Sequence, residues 1–426
     1  MMSHVHDELI IPSYMLGIPN IDILEIHADN NANLIIDVES RDVGTKCHQC
    51  GKQTYATDGH DKPIMLRHLS MFSYESYIRT HPIRCKCTCS AITIQKYTWY
   101  TQRSRCTTLY EDHILRQLIN STISDVSIKE NTGYDLVKGI LERRVDTHVN
   151  WDQISKIDVL GIDEITLKKG HRDFVAIVSG YSEGQLLILG VLKDREKSTV
   201  KAFLQGMPAR LRQQVKVVCT DLYEGFINAA KEVFPNQVKI TADRFHVAKL
   251  YRKKVDDLRI KEMKRLKAEL PEESYQELKG SMWILRKREQ ELEEDEKKTL
   301  SLLLTYSPDL KLAYQYSNEL TAIFESNISK FQAKHKFNSW MNRVQSSGLK
   351  CFNSFIKTLS KFKDKISNYF IDRHSSGFVE GLNNKIKSIK RRCYGIFNIQ
   401  RLFQHIRLDT SGYALFARRT RRACQA

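Results

Sequence analysis

The strongest constraint on this chain lies in residues 156–246, where apolar runs and polar turns follow one another in the order βββαβαβ. KIDVLGIDEITLKKG, DFVAIVSGYSEGQ and LLILGVLKD read as three short strands joined by polar, glycine-bearing turns. STVKAFLQGMPARLRQQ then reads as a helix, QVKVVCTD as a fourth strand, LYEGFINAAKEVF as a second helix and QVKITAD as a fifth strand. Three hairpin-linked strands followed by βαβ crossovers make a mixed sheet. Right-handed connections let its fourth strand lie parallel beside the first.

Two of these strands end in aspartate, Asp163 on the first and Asp221 on the fourth. Neighbouring strand ends are roughly 5 Å apart, so the two carboxylates are expected to meet across one gap. Period-two alternation puts Asp163 on the side of Ile157 and Val159 and turns Glu164 the other way. Like charges this close repel, and a bound divalent cation is the common remedy. Magnesium suits such a place, because it takes hard oxygen ligands and keeps waters that substrate can displace. A third acid comes from HSSGFVEGLNNKIKSIKRRCYG, where Leu382, Ile386 and Ile389 share one helical face and Glu380, Asn384, Lys387 and Arg391 the opposite one. Such a helix packs by its apolar stripe and offers a carboxylate, an amide and cations to a phosphate backbone.

The segments GIDEITLKKGH, TDLYEGF, ADRFHV and EGLNNKIKSIKRRCYG, in that order, resemble those of DDE transposases from bacterial insertion sequences, specifically the ISL group. The resemblance runs from the first cysteines to about residue 410. It implies an RNase H-like core, a catalytic triad of Asp163, Asp221 and Glu380, and a (Cys/Asp)-x-x-His signature at Asp243 to His246.

The formal charge of +17 agrees with an anionic partner, most economically nucleic acid. No apolar run approaches a membrane span, and MMSHVHDELIIPSY carries acids and a proline where a signal peptide has basic and apolar regions. The expectation is a soluble, cytoplasmic, nucleoid-associated protein with no membrane partner. Six of the ten cysteines fall in the first quarter of the chain, a clustering that favours metal over disulfide in a reducing cytosol. CHQCGK from Cys47 to Lys52 is a C-x-x-C knuckle, and RCKCTCS offers Cys85, Cys87 and Cys89 to complete a tetrahedral structural zinc site. Cys85 and Cys89 are the favoured second pair, with Cys87 as substitute. Tyr74, Tyr77, Tyr97, Trp99 and Tyr100 surround the cysteines, either as a surface on DNA or as a modest core.

From Cys106 to Val149 the pattern is helical: LYEDHILRQLIN, then SDVSIKENT opened by an Asp or Ser cap, then GYDLVKGILERRV. The last two have the outline of a helix-turn-helix whose final helix would carry Lys138, Arg143 and Arg144 to the major groove. Asp243 reads as an outer metal partner, a contact for His246 or, preferably, a helix N-cap. His246 reads as a packing histidine or a supporting group. Residues 251–365 are rich in Lys, Glu and Leu, with breaks at Pro271 and Pro308, and read as a self-folding helical insertion between Asp221 and Glu380. The resulting plan is 1–104 with the zinc module, 105–154 helix-turn-helix, 155–250 core, 251–365 insertion, and 366–426 closing helix and basic tail ARRTRRACQA.

The expected function is metal-dependent DNA cleavage and strand transfer at the ends of an insertion sequence. Two magnesium ions, with manganese as possible substitute, would sit between Asp163, Asp221 and Glu380, Asp163 bridging both. Lys385, Lys387, Lys390, Arg391 and Arg392 would hold the backbone of double-stranded DNA, meaning terminal inverted repeats and target, and pairing two ends implies a homodimer. The alternatives are an RNase H-like nuclease that does not join ends and a non-enzymatic DNA-binding regulator.

Overall fold

The computed structural model describes residues 13–167, 173–287, 289–373 and 377–416, without the side chains of Glu289, Asp372 and Glu380. Two compact units emerge, one from the N-terminus to Asp146 together with the chain from Arg407, the other from Thr147 to Ile406. No helix among the described residues is long and apolar enough to cross a membrane.

The second unit is built on a five-stranded sheet: β1 (Val159–Thr166), β2 (Phe174–Ser182), β3 (Gln185–Val191), β4 (Val217–Thr220) and β5 (Lys239–Ala242), in the order β3-β2-β1-β4-β5. β1, β2 and β3 are antiparallel neighbours, whereas β1, β4 and β5 run parallel. Glu183 and Gly184, both with positive φ, make the two-residue turn between β2 and β3, a backbone twist that matches the twist of the flanking strands. The strands are apolar on successive residues because both faces are covered. One face packs Leu160, Ile162, Val178 and Val218 against helices α4 (Lys197–Gln205) and α5 (Glu224–Val233). Val159, Val217 and Cys219 point the other way. Ile157, expected on the side of Val159, lies in the first of these clusters, because the strand begins only at Val159 and the alternation does not reach back past it.

Insertion of a helical region begins without a linker. Asp243 follows β5 directly and caps a long helix, α6 (Arg244–Glu269), by accepting the Phe245 N–H at 2.8 Å. The helix thus starts seven residues ahead of the boundary expected at residue 251. Pro308 opens α7 (Pro308–Glu325) behind a Ser307 cap, and Ser329 and Gln332 form a capping box for α8 (Lys330–Ser346). With α9 (Asn353–Ser367) these helices enclose Tyr251, Phe324, Phe337, Trp340, Phe352 and Phe355. The buried Trp340 indole N–H is satisfied by the Tyr316 carbonyl at 3.0 Å.

The chain returns to the second face of the sheet as α10 (Gly377–Arg392) and α11 (Ile399–Phe416). Leu382, Ile386 and Ile389, the apolar stripe read from the sequence, pack with Ile165, Val175 and Ile177 of the sheet and with Leu402 and Ile406 of α11. α10 approaches β1 at Gly161, where a Cβ would stand 2.6 Å from Val379 Cγ2 and 2.7 Å from Ser179 Oγ.

In the first unit, strands Ile21–Ala28, Leu34–Ser40, Tyr74–Thr80 and Ile64–Met71 pair in that order. Tyr97 and Trp99 belong to the buried cluster of this sheet, with Ile36, Leu66 and Ile78, so these two aromatics serve the core rather than a surface. Three further helices follow: α1 (Thr108–Leu118), α2 (Ile123–Lys129) and α3 (Tyr134–Arg144). Thr122 caps α2, two positions ahead of Ser124 and three ahead of Asp125, the anticipated caps, which lie inside the helix itself. Tyr110, Ile114, Leu118, Val126, Val137 and Ile140 fill the space between them.

Because the Gly161 contact is with rigid neighbours, Gly161→Ala is expected to lower the stability of the second unit by about 1–3 kcal/mol in urea denaturation. An unchanged midpoint would mean that α10 is not seated at β1.

Candidate active site and cysteine cluster

Asp163 and Asp221 take their places from the strand register. Ile162 of β1 lies opposite Thr220 of β4, so the next residue of each strand is an aspartate, side by side on the face that α10 covers. Asp163 is only 4% exposed. Its Oδ1 accepts the Glu164 N–H at 2.8 Å, and its Oδ2 accepts a hydrogen bond from Asn383 Nδ2 of α10. Asp221 Oδ1 accepts the Tyr223 N–H at 2.9 Å. His246, in the first turn of α6, completes the group: one ligand atom each from Asp163, Asp221 and His246 lies within 4.8 Å of the others. Asp243 is buried as the helix cap, the role preferred for it from the sequence.

Burial pushes the Asp163 carboxyl above its ordinary value, and the nearby charge of Asp243 adds to this. Asp221 is pushed up to about 6, first by burial and then by Asp163 and Glu164. Glu164 is neutralised separately, in an ion pair with Arg195 at 2.7 Å. These groups line a cleft of about 510 Å³ whose wall also carries Lys249, Lys253, Asn384 and Lys387. The donor set fits a divalent cation, since Asn383 Oδ1 is a buried oxygen with no hydrogen-bond partner among the described residues, beside the two carboxylates.

Glu380, the expected third acid, lies in the first turn of α10, and its side chain is outside the described part of the structure. Asn383 comes one helical turn later and touches Asp163, which runs this end of α10 beside the end of β1. Of the cations expected on α10, Lys387 and Arg391 are exposed, and Lys385 and Arg392 are half-buried. Lys390 donates to the Thr166 carbonyl at the end of β1. Burial lowers the pKa of its ammonium. Lys390 therefore ties the helix to the sheet instead of facing a ligand. Asn383, Lys249 and Lys253 were not singled out in the sequence. Asn383 had a signal, because it sits three residues before Ile386 on the apolar side of α10, and a buried amide there requires a polar partner. The basic tail from residue 417 onward lies outside the described residues.

A second group forms in the first unit from Cys47, Cys50, Cys87 and Cys89, whose sulfurs lie within 4.8 Å of one another. Cys47 and Cys89 are 3.6 Å apart, and Cys50 and Cys87 3.5 Å. Cys85, favoured from the sequence, is not in the group and Cys87 stands in its place. The reason is local: Cys85 is fully buried inside the strand Ile83–Lys86, paired with Thr57 and Thr93, whereas Cys87 opens the tight turn that Ser90 closes at φ +65°. Gly51 closes the first knuckle in the same way, its N–H donating to the Cys47 carbonyl. The Cys47 thiol is lowered to about 6, chiefly by the backbone N–H groups of Cys50 and Gln49.

On α3, Lys138 is half-buried. Arg143 and Arg144 close on Glu111 of α1 at 2.7 and 2.8 Å, and Arg144 also reaches Asp112. The Glu111 side chain is 1% exposed and needs these counter-charges. The two arginines expected at the DNA thus fasten α3 to α1, although Arg143 keeps an exposed side.

Paired carboxylates beside a buried amide oxygen that has no partner among the described residues, in a cleft walled by lysines, are a donor set of the kind that holds a divalent cation. A family model described as a transposase, for the DDE domain of the ISL3 type, matches residues 160–406. A second, described as the helix-turn-helix domain of transposase family ISL3, matches residues 95–145. The chain belongs to the ISL3 family of DDE transposases, and it is an enzyme that acts on DNA. It is 27% identical over 371 residues to the transposase for insertion sequence element IS1001 of Bordetella parapertussis, covering 86% of this chain and 89% of that one. It is 21% identical over 417 residues to the transposase for insertion sequence element IS1557 of Mycobacterium tuberculosis, covering 93% of each.

In metal-free protein, the raised carboxyl of Asp221 contributes stability that is complete below its ordinary value of 3.8 and is lost as pH rises through about 6. Asp221→Asn removes that loss. Without added magnesium or manganese, at pH 7.5, the variant should be more stable than wild type by on the order of 2 kcal/mol, with the gap closing near pH 4 in parallel urea titrations. Superimposable profiles would show that the Asp221 carboxyl is not raised in the folded protein.

Proposed function

We propose that this transposase cleaves DNA at the ends of an insertion sequence and joins the freed 3′-hydroxyl to target DNA, using an RNase H-like core and the triad Asp163, Asp221 and Glu380. The sheet order, three antiparallel strands continued by two parallel ones, supports that core. The observation that carries the reading is the adjacency of Asp163 and Asp221 with α10 joined to Asp163 through Asn383. Two magnesium ions, or manganese in their place, would be held by Asp163, Asp221 and Glu380 and would supply activation of the attacking hydroxyl and stabilisation of the leaving oxygen.

The chain's own residues supply the rest. Asn383 fixes the rotamer of Asp163 by its amide N–H and keeps its own carbonyl oxygen buried beside it, without a hydrogen-bond partner among the described residues. Asp243 caps α6 and so sets the position of His246, which supports the site from the α6 side. Lys387 and Arg391 of α10, with Lys249 of α6, bind backbone phosphates and hold the scissile bond in register. Lys138 and the exposed side of α3 choose the site on double-stranded DNA, and a structural zinc on Cys47, Cys50, Cys87 and Cys89 keeps the knuckle module folded. A homodimer would bring two ends together, in the cytoplasm on the nucleoid.

Asp221→Asn should reduce cleavage of a labelled end duplex by more than about 100-fold, the upper range for losing an outer-shell group, while retaining end binding in a mobility-shift assay. Wild-type cleavage without joining of the labelled end to target would favour the nuclease reading, and undiminished cleavage by the variant would remove Asp221 from the site. For the cysteines, Cys87→Ser should abolish the thiolate-to-cobalt absorption of cobalt-substituted protein and Cys85→Ser should preserve it. The reverse pattern would restore Cys85 to the ligand set.

A further inference from the structure

The turn that ends α10 carries an aromatic side chain in an unfavourable backbone conformation, in the open. Tyr394 is 96% exposed, the highest value among the large apolar side chains described, and its φ is +51°. A side chain with a Cβ reaches this region only at a steric cost, and a helix terminus of this kind is ordinarily closed by glycine or asparagine. The Tyr394 N–H donates to the Arg391 carbonyl and the Gly395 N–H to the Lys390 carbonyl, so the backbone needs a left-handed residue here but does not need tyrosine. Three residues on, Phe397 is 57% exposed. Unsupported by packing, a tyrosine held in a costly geometry points to a use outside the fold.

Its position says what that use is. Asn384, Lys387 and Arg391 form the exposed stripe of α10, and Tyr394 follows at the same spacing. Asn384 and Lys387 line the cleft of Asp163 and Asp221. The stripe therefore leads from the acids, past two cations, to an exposed ring. From Lys387 to Tyr394 the helix rise amounts to about 10 Å, the span of about three nucleotides of one strand. A contiguous apolar surface would suit a protein partner, but here the exposed ring follows cations, the combination by which proteins hold unpaired bases while tracking a backbone.

We infer that Tyr394 is a base-stacking residue: it receives an unstacked nucleobase of the DNA strand lying along α10, a few nucleotides from the scissile phosphate. This rests on the reading of α10 as the DNA-bearing helix of the active site. The ring stabilises a frayed end in place of the base pair that strand opening breaks, which makes Tyr394 a positioning group for the strand, outside the reacting atoms.

The test uses the full chain with Asp221→Asn, in buffer without added magnesium or manganese, so that no cleavage is required and a zinc at the cysteines is kept. The probe is a 30-base-pair duplex of the element's own terminal sequence, with 2-aminopurine placed singly at each of the first eight positions from the cleavage point. Wild-type Tyr394 should quench or shift the fluorescence at one or two adjacent positions and Tyr394→Phe should do the same. Tyr394→Ala and Tyr394→Gly should lose the signal and bind a duplex with an unpaired end roughly tenfold more weakly. Tyr394→Gly should also melt at a higher temperature than the parent protein, which separates loss of stacking from loss of folding. A signal unchanged in both variants, or absent with Tyr394 present, overturns the inference. Failure of the function proposed above would appear elsewhere, as absent cleavage by the unmutated enzyme with magnesium.

Discussion

Two like charges at the ends of adjacent parallel strands are the constraint around which the second unit is arranged. With Ile162 opposite Thr220, Asp163 and Asp221 emerge together and on one face. A slip of one residue between β1 and β4 would send one carboxylate through to the apolar cluster of Leu160 and Val218. The register is secured by that cluster and by the Val159, Val217 and Cys219 set on the other face. Burial of the strands thus brings the carboxylates together and is itself the main reason both are raised, with the charge of Asp163 adding to the shift of Asp221. An unoccupied site of this kind opposes folding at neutral pH, so the same geometry that costs stability supplies affinity for a cation.

The helical region inserted after β5 has to leave this arrangement undisturbed. It does so by folding around its own aromatic centre, with Tyr251, Trp340 and Phe355 in edge-on contact. Closing a long connection between β5 and α10 then adds little further entropy cost, because the cost grows only with the logarithm of length. Two contacts link the region to the sheet at defined points. Asp243 caps α6 at the end of β5, and Asn368, just past α9, donates to the Ile240 carbonyl of the same edge strand at 2.8 Å. The second covers a backbone acceptor that an edge strand would otherwise leave open.

Much of this was legible in the sequence wherever hydrophobic period and burial agree. The five strands, their order, the two aspartates at strand ends and the apolar stripe of α10 all follow from periodicity, because each of those faces is buried in the same element that displays the pattern. What was not legible depends on partners distant in sequence. Cys85, Cys87 and Cys89 share a parity, and only the point at which the strand Ile83–Lys86 gives way to a turn separates them. Arg143 and Arg144 look like free cations until Glu111 is seen buried beneath them, and Lys390 does until the Thr166 carbonyl meets it. Formal charge along a helix counts groups without saying which are already neutralised.

The apolar side of α10 is where sequence pattern and chemistry meet most closely. Gly161 admits Phe378 and Val379 to β1, Asn383 then reaches Asp163, Leu382, Ile386 and Ile389 bury the middle, and Lys390 fixes the far end to Thr166. Each contact lies on the face turned to the sheet, so the opposite face is left without structural duties. A helix fastened at both ends and along its length loses its rotational freedom before any ligand arrives. The groups on its outer face, Lys387 and Arg391 among them, are therefore held in a fixed line relative to the two aspartates. On the proposed reading, for a substrate as long and regular as a DNA strand, that fixed line matters more than the number of cations on it, since a phosphate gripped in the wrong register would bring the wrong bond to the acids.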